Sequence, residues 1–420
     1  MDSPTPEPPP GRRPRTRLAV RLGVATLGRL FLNTARRFPY PFAAVLAREL
    51  AVPLTGVTAV IAACQATGLL SPLFGPLGDR WGYRALMLGG LGLLAVGMAG
   101  PGLVPTYPAV AAGLVLASLG KSIFDPAVQA YIGEQVPLHR RGLAVGLAET
   151  AWAGASLVGI PAVGLLMETV HWRAPFLILG VLGAAAAAGL WQVMEAGPLR
   201  PATGHRAPSA GRAWGALLRN PAALAGLAFG FLISAANDNL FVVYGVWLGA
   251  SFSLGPAALG AATAAIGVAE ISGEGLTALL GDRIGLRRAV LWGAALSALA
   301  YAALPALGHA LPAALGGLFL VFVTYEFTIV TSFSLLTEAL PEARGTMMSA
   351  YVAATGLGRV AGATLGGPLW TAGGLWATGL TSAAVGALAA AVLARGCRIA
   401  ADGPSEAPAG TGAELPPRGP

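Results

Sequence analysis

Charge is what this chain has least of. Only 11% of its 420 residues are charged and 55% are hydrophobic, where a soluble globular domain carries about 25% charged residues. That leaves too little polar material to face water, so lipid is implied as the solvent for most of the surface. Cysteine is nearly absent. Cys64 lies in an apolar run and Cys397 near the C-terminus, which excludes a disulfide framework. The only histidines are His139, His171, His205 and His309, all in or beside loops. They have no metal-ligand spacing, so neither a metal nor a cofactor is implied. Lysine occurs once, at Lys121, among 27 Lys and Arg. No Gly-rich loop ending in Lys-Ser/Thr is present, which speaks against an ATP-driven pump. No small-residue cleavage site follows a short apolar core near the N-terminus, so the first apolar segment is read as retained.

What the chain does have is long apolar runs, each sufficient to cross roughly 30 Å of hydrocarbon. We read twelve spans, near 18–47, 54–76, 86–104, 108–132, 143–167, 174–194, 221–249, 257–280, 289–307, 313–337, 346–370 and 375–394. They are numbered 1 to 12 below. Residues 195–220 form the longest polar break and are read as a cytoplasmic linker between bundles at 18–194 and 221–395. The tail 1–17, rich in Pro and Arg, and the tail 396–420, rich in Gly, Pro and Ala, are expected to be disordered.

The two halves repeat. Gly75-Pro76-Leu77-Gly78-Asp79-Arg80-Trp81-Gly82-Tyr83-Arg84 returns 203 residues later as Ala278-Leu279-Leu280-Gly281-Asp282-Arg283-Ile284-Gly285-Leu286-Arg287. Pro53 meets Pro256 at the same offset, and Glu134-Gln135-Val136-Pro137 is echoed by Glu338-Ala339-Leu340-Pro341. Duplication with an even number of spans keeps both halves in the same direction through the membrane. With both termini cytoplasmic, 20 of the 27 Lys and Arg fall inside, counting Arg21 in the first turn of span 1 with the tail, and only Arg48 and Arg173 fall outside. That is the positive-inside pattern, so the net charge of +8 reflects membrane orientation rather than nucleic-acid binding.

The doubled motif resembles the cytoplasmic signature of the major facilitator superfamily of secondary transporters. Gly75, Leu77, Asp79, Arg80, Gly82 and Arg84 match, while Gly78 and Tyr83 depart from it; the second copy keeps Leu280, Asp282, Arg283, Gly285 and Arg287. The resemblance implies an all-α fold of two six-helix bundles around a central substrate site. It also implies a cytoplasmic latch built on Gly75, Asp79, Arg80, Gly82, Arg84 and Glu134, and on Gly281, Asp282, Arg283, Gly285, Arg287 and Glu338. Arg80 and Arg84 would pair with Glu134, and Arg283 with Glu338. Span 5 carries Gly146, Gly154, Gly159, Pro161 and Gly164. This is a degenerate form of the glycine-rich motif of the family's exporters. The competing reading is that small residues only permit close helix packing in lipid.

Charges within the spans carry the mechanistic expectations. Arg36, Arg37, Lys121 and Arg359 are cationic there; Asp125, Glu149, Asp238, Glu270, Glu274 and Glu326 are anionic. A central Arg, Lys or Asp facing lipid costs about 2.5–3.5 kcal/mol, so these groups must pair, neutralise or face a hydrated cavity. Arg29 is set aside as able to snorkel to the interface. Lys121 and Asp125 sit one turn apart, either as a local ion pair or as a cavity site. The repeat aligns Arg36 with Asn239, beside Asp238, so Arg36 or Arg37 is expected to face Asp238, after which Pro39-Tyr40-Pro41 kinks span 1. Glu270 and Glu274 lie one turn apart, where like charges resist joint ionisation; either becomes a candidate proton carrier, unless each pairs separately, for example with Arg359. Trp152 and Tyr325 are the aromatic candidates for the cavity wall.

The function these observations support is secondary transport by alternating access in the plasma membrane, by a monomer with protons as the coupling ion. The lead expectation is export of a small organic or drug-like compound. Uptake of an anionic metabolite attracted by Arg36 and Arg37 competes with it. A non-transporting sensor on the same fold is a further class. An enzyme is not expected, because the buried carboxylates scatter over several spans and the histidines avoid the membrane core.

Overall fold

The computed structural model describes residues 15–71, 73–74, 81–136, 138–194, 210–340 and 344–402. The described residues are almost entirely helical, with no strand among them. Nine of their helices are long and apolar enough to cross a membrane. One of the nine, Gly345–Gly396, holds spans 11 and 12, joined at a break where Gly373 and Gly374 leave helical geometry. Span 2 begins as the shorter helix Leu54–Ala66 and tightens at Thr67–Leu70. Span 1 is the helix Arg15–Arg37, a turn, and the helix Ala43–Glu49. The architecture is thus all-α, with about twelve crossings.

The duplication read from the sequence recurs in backbone geometry. Spans 4 and 10, Tyr107–Gln135 and Leu311–Ala339, are both 29 residues long. Gly82 and Gly285, at equivalent places in the repeated motif, adopt φ 82° and 86°. Each starts the helix that follows, Tyr83–Leu103 and Leu286–Leu307. A side chain is disfavoured at such a φ, which explains a glycine at both places. Ala51 and Ser253, both at φ 52°, turn the chain before spans 2 and 8. Span 7 breaks like span 1, between Pro221–Phe241 and Tyr244–Phe252. In span 1, Pro39 and Pro41 withhold two backbone donors and force the break.

Three boundaries differ from expectation. The first helix already starts at Arg15 and the last continues to Asp402, past the expected limit at 396; its Ala-rich sequence favours helix over coil. Within the linker, Ala210–Arg219 is a helix whose Leu217 is buried among Ala223, Leu336 and Leu340 of the second half. Residues 403–420 lie outside the described residues.

The two halves meet at the end away from the Gly-Asp-Arg turns. A Cβ on Gly245 would lie 2.1 Å from the Pro41 carbonyl oxygen, so the breaks of spans 1 and 7 touch. One on Gly164 of span 5 would lie 2.3 Å from the Pro256 carbonyl oxygen of span 8. One on Gly367 of span 11 would lie 2.7 Å from Thr58 Oγ1 of span 2. The Glu168 carboxylate at the end of span 5 accepts the Ala257 N–H at 2.8 Å, capping span 8 across the interface. One apolar core, including Tyr40, Phe42, Leu240, Tyr244 and Trp247, joins both halves at this end. The other end of the second half has its own core around Phe229, Ile233, Val290 and Met347. The halves are therefore closed together opposite the turns.

Candidate functional site

Span 1 ends its first helix on Arg36 and Arg37, at the level where the halves begin to separate. Arg37 is the pivot of the site. Its Nη2 donates to Glu270 Oε1 of span 8 at 2.6 Å and its Nη1 donates to Oε2 at 3.2 Å. Side-chain exposures of 3% and 4% make this a buried, bidentate ion pair between the halves. Two further donors from span 5 complete the carboxylate: Trp152 Nε1 at 3.2 Å and Ser156 Oγ at 3.0 Å. Ser156 lies in a π-helical segment, Ala155–Gly159, just before Pro161. The bulge re-aims Ser156 at span 8, a use to which such segments are often put. Gly159 in the same segment abuts Thr34 of span 1, where a Cβ would lie 2.1 Å from Oγ1.

The expected direct contact of Arg36 or Arg37 with Asp238 is corrected by a relay. Asp238 Oδ1 accepts the Tyr40 hydroxyl at 2.9 Å. That hydroxyl accepts from Gln65 Nε2, and Gln65 Oε1 accepts from Arg36 Nη2. The break at Pro39 and Pro41 swings Tyr40 into the place where a straight helix would have carried an arginine. The triplet Asn237-Asp238-Asn239 splits three ways, because successive helical residues point about 100° apart. Tyr301 of span 9 donates to Asn237 at 3.1 Å, Asp238 faces span 1, and Asn239 donates to Ser382 of span 12 at 3.0 Å.

A second cluster lies within the first half. Lys121 pairs with Asp125 as the spacing allows, and Arg29 Nε donates to Asp125 Oδ1 at 3.1 Å. Arg29 Nη1 lies 2.8 Å from Glu149 Oε1, which also accepts from Gln129 at 2.8 Å. Setting Arg29 aside as snorkelling is therefore wrong: its side chain is 7% exposed. Spans 1, 4 and 5 are tied through it, since two carboxylates hold it more strongly than the distant interface could.

Three cations surround the Trp152 ring. The Arg37 guanidinium carbon is 4.3 Å from the ring centroid, Lys121 Nζ 5.5 Å, and the Arg359 guanidinium carbon 6.0 Å. Arg359 does not pair with Glu270, which Arg37 already occupies. Glu274 and Glu326 are half-buried and form no ion pair among the described residues. Glu326 stands beside Gly273, and so between Glu270 and Glu274 in height, because a Cβ on Gly273 would touch its Cβ at 2.7 Å. Tyr325 is buried, with a hydroxyl that finds no partner. The aromatic candidates thus divide, Trp152 reaching the charged centre and Tyr325 standing behind it in the second half.

The gate motif is only partly described. Gly75, Asp79 and Arg80 lie outside the described residues, as does the Asp282 side chain. Arg84 does not reach the exposed Glu134. It donates to the Trp191 carbonyl oxygen at 2.6 Å and stacks 4.4 Å from the Trp191 ring. A carbonyl in the last turn of span 6 attracts a cation through the helix dipole, and the ring face adds to it. Gly281 is buried, whereas Arg283, Arg287 and Glu338 are exposed, and Arg283 forms no ion pair with Glu338. Exposed pairs gain little from pairing.

Sequence reasoning missed Gln65, Ser156 and Glu168. Gln65 was open to detection as an amide in an otherwise apolar span. Ser156 had no such signal, since a serine also fits span 5 as a small packing residue.

Comparisons with known proteins agree with this architecture. The chain is 28% identical over 345 residues to a chloramphenicol resistance protein of Streptomyces lividans, covering 80% of this chain and 86% of that one. It is 26% identical over 302 residues to the MFS-type transporter YceJ of Bacillus subtilis, covering 72% and 76%. A solved bacterial homolog of the human lysosomal transporter Spinster shares the fold, with a TM-score of 0.74, 15% identity, and coverage of 92% and 98%. The family model described as Major Facilitator Superfamily matches residues 25–245 and 227–419. With both halves matched and the bundle duplicated in sequence and backbone, the chain belongs to the Major Facilitator Superfamily of membrane transporters.

Proposed function

We propose that the protein exports a small organic, drug-like compound in exchange for protons by alternating access, as a monomer in the plasma membrane with both termini cytoplasmic. The observation that carries this reading is the Arg37–Glu270 pair, which joins the halves in the middle of the protein. Buried ion pairs hold only while both charges persist, and losing one partner costs about 3–5 kcal/mol. A proton on Glu270 removes the charge that Arg37 holds and frees span 1 from span 8. Asp238 makes a second carboxylate contact between the halves, a hydrogen bond from the Tyr40 hydroxyl. Glu274 and Glu326 provide acceptors along span 8 and span 10 through which a proton leaves Glu270 toward the side of the turns. Export is supported by the chloramphenicol resistance relative, and by a partial match, 32% identical over 121 residues, to a multi-drug efflux pump PmrA homolog of Lactococcus lactis.

The test is substrate-dependent proton flux in proteoliposomes under an imposed pH gradient, starting from a screen of drug-like compounds. Glu270→Gln is expected to abolish coupled flux while retaining substrate binding, and Glu274→Gln to slow it. Unchanged proton movement in both variants sinks the assignment.

A further inference from the structure

Two guanidinium groups near the middle of the protein have no carboxylate in hydrogen-bond contact among the described residues. Arg359 makes no hydrogen bond and no ion pair among the described residues, although it is mid-span and half-buried. Among the described residues, Arg36 donates only to the neutral amide of Gln65. They come from opposite halves and meet at one seam. A Cβ on Gly68 of span 2 would lie 3.7 Å from Arg36 Nη2, and one on Gly356 of span 11 would lie 3.5 Å from the side chain of Leu69. Gly356 is one helical turn before Arg359. The two like charges oppose each other across this seam.

Beside Arg359 stand two buried hydroxyls, those of Tyr325, 4% exposed, and Ser234, fully buried; they face each other, and neither closes a hydrogen bond to any other group among the described residues. The packing of span 11 on span 7 puts Ser234 at the level of Arg359: Gly358 abuts the Phe231 carbonyl and Gly362 abuts that of Ala235. Asp238 and Glu326 also lie in the field of Arg359. They balance its charge at longer range but leave its N–H groups free, since Asp238 is engaged by Tyr40 and neither forms an ion pair with it. Unpaired guanidinium donors beside buried hydroxyls are the recognition chemistry of an acidic group, which accepts two parallel N–H bonds from one arginine.

We infer that the cargo carries an acidic group, a carboxylate or another oxyanion, that binds between Arg36 and Arg359, with the Tyr325 hydroxyl as a further donor and the Trp152 ring flanking the rest of the molecule. An anion placed there joins the two halves at a seam where their own charges push apart. Arg37 takes no part, because Glu270 already neutralises it. This inference rests on the transport reading but not on its direction or on proton coupling.

The experiment is equilibrium binding to the purified full-length protein in detergent, with no gradient, so loss of proton coupling and loss of this subsite are read separately. The probes are matched sets built on benzene and naphthalene: the acids (benzoate, 2-naphthoate), their amides, and the corresponding arylmethylamines. At least one acid is expected to bind more tightly than its amide and its amine. Arg359→Gln weakens that acid by roughly ten- to a hundredfold, the cost of a charge-assisted contact, and leaves the amide unchanged. Tyr325→Phe weakens it less. Arg359→Lys keeps the preference for acid over amide, which separates charge recognition from misfolding. Equal binding of acid and amide throughout the panel overturns the inference, as does an Arg359→Gln variant with unaltered acid affinity. Tighter binding of the amine also overturns it, and assigns the cavity to Asp238 and Glu326 instead.

Discussion

At the scale of single residues, the site is a competition among a few buried charges for too few partners. Arg37 takes Glu270 with bidentate geometry and two supporting donors, which leaves Arg359 without its expected partner. Truncating Arg37 to Met removes the cation and strands a carboxylate that only Trp152 and Ser156 still hold. We expect a loss of about 3–5 kcal/mol, the usual cost of orphaning a buried charge, seen as a lower unfolding temperature in detergent. The double variant Arg37→Met/Glu270→Met, with apolar groups of similar length, recovers most of that loss. An equal Tm for the single and double variants argues that the pair contributes nothing specific. The sequence alone identified these charges, Arg29 apart, as having to pair, neutralise or face water, because the cost of a lone charge in lipid is independent of fold. It did not say which partner. Arg36 and Arg37 are adjacent in the chain but point to different elements, one to Gln65 and the other to Glu270.

At the scale of elements, breaks and small residues decide how spans approach. Gly164 is the clearest case, since a Cβ there would lie 2.3 Å from a backbone oxygen of span 8, which has no flexible end to move aside. Gly164→Leu therefore pushes spans 5 and 8 apart and biases the protein toward the arrangement open at that end. Thiol labelling of Gly255→Cys, next to the Glu168 cap, is expected to accelerate several-fold in this variant. Unchanged labelling would show that span 5 accommodates the side chain without moving. The glycines of span 5 were legible as a motif, but their task was not. Gly159 and Gly164 serve close packing against spans 1 and 8, whereas a Cβ on Gly146 would meet nothing within 4 Å. The turn glycines were more readable, because a positive φ leaves a direct trace in residue choice. Gly82→Ala or Gly285→Ala forces a side chain into a positive-φ, extended-ψ conformation that is essentially reserved for glycine, for about 1–3 kcal/mol. Either lowers Tm measurably, and an unchanged Tm in both means that the turns relax.

At the scale of the whole molecule, the halves are sealed at one end, and transport requires that seal to open. Thr58 and Gly367 face each other across spans 2 and 11, and a Cβ on Gly367 would lie 3.5 Å from the Thr58 Cβ. Disulfide-bonded cysteines have Cβ atoms about 3.5–4.5 Å apart. In a background lacking Cys64 and Cys397, Thr58→Cys/Gly367→Cys is expected to cross-link on oxidation, stop transport, and recover on reduction. Full transport by the cross-linked protein would show that this seam does not open during the cycle.

What the amino-acid sequence determined by itself was the membrane setting, the duplication and the family. Each follows from information local in the chain: apolar length, the sign of loop charges, and a turn motif written twice. The tertiary structure alone decided the pairing. Glu270 meets Arg37 from 233 residues away, and Asp238 meets Tyr40 rather than an arginine, because two prolines turn span 1 at that point. Spacing along a helix reports the face a residue occupies, but which helix stands opposite that face depends on how the bundles pack.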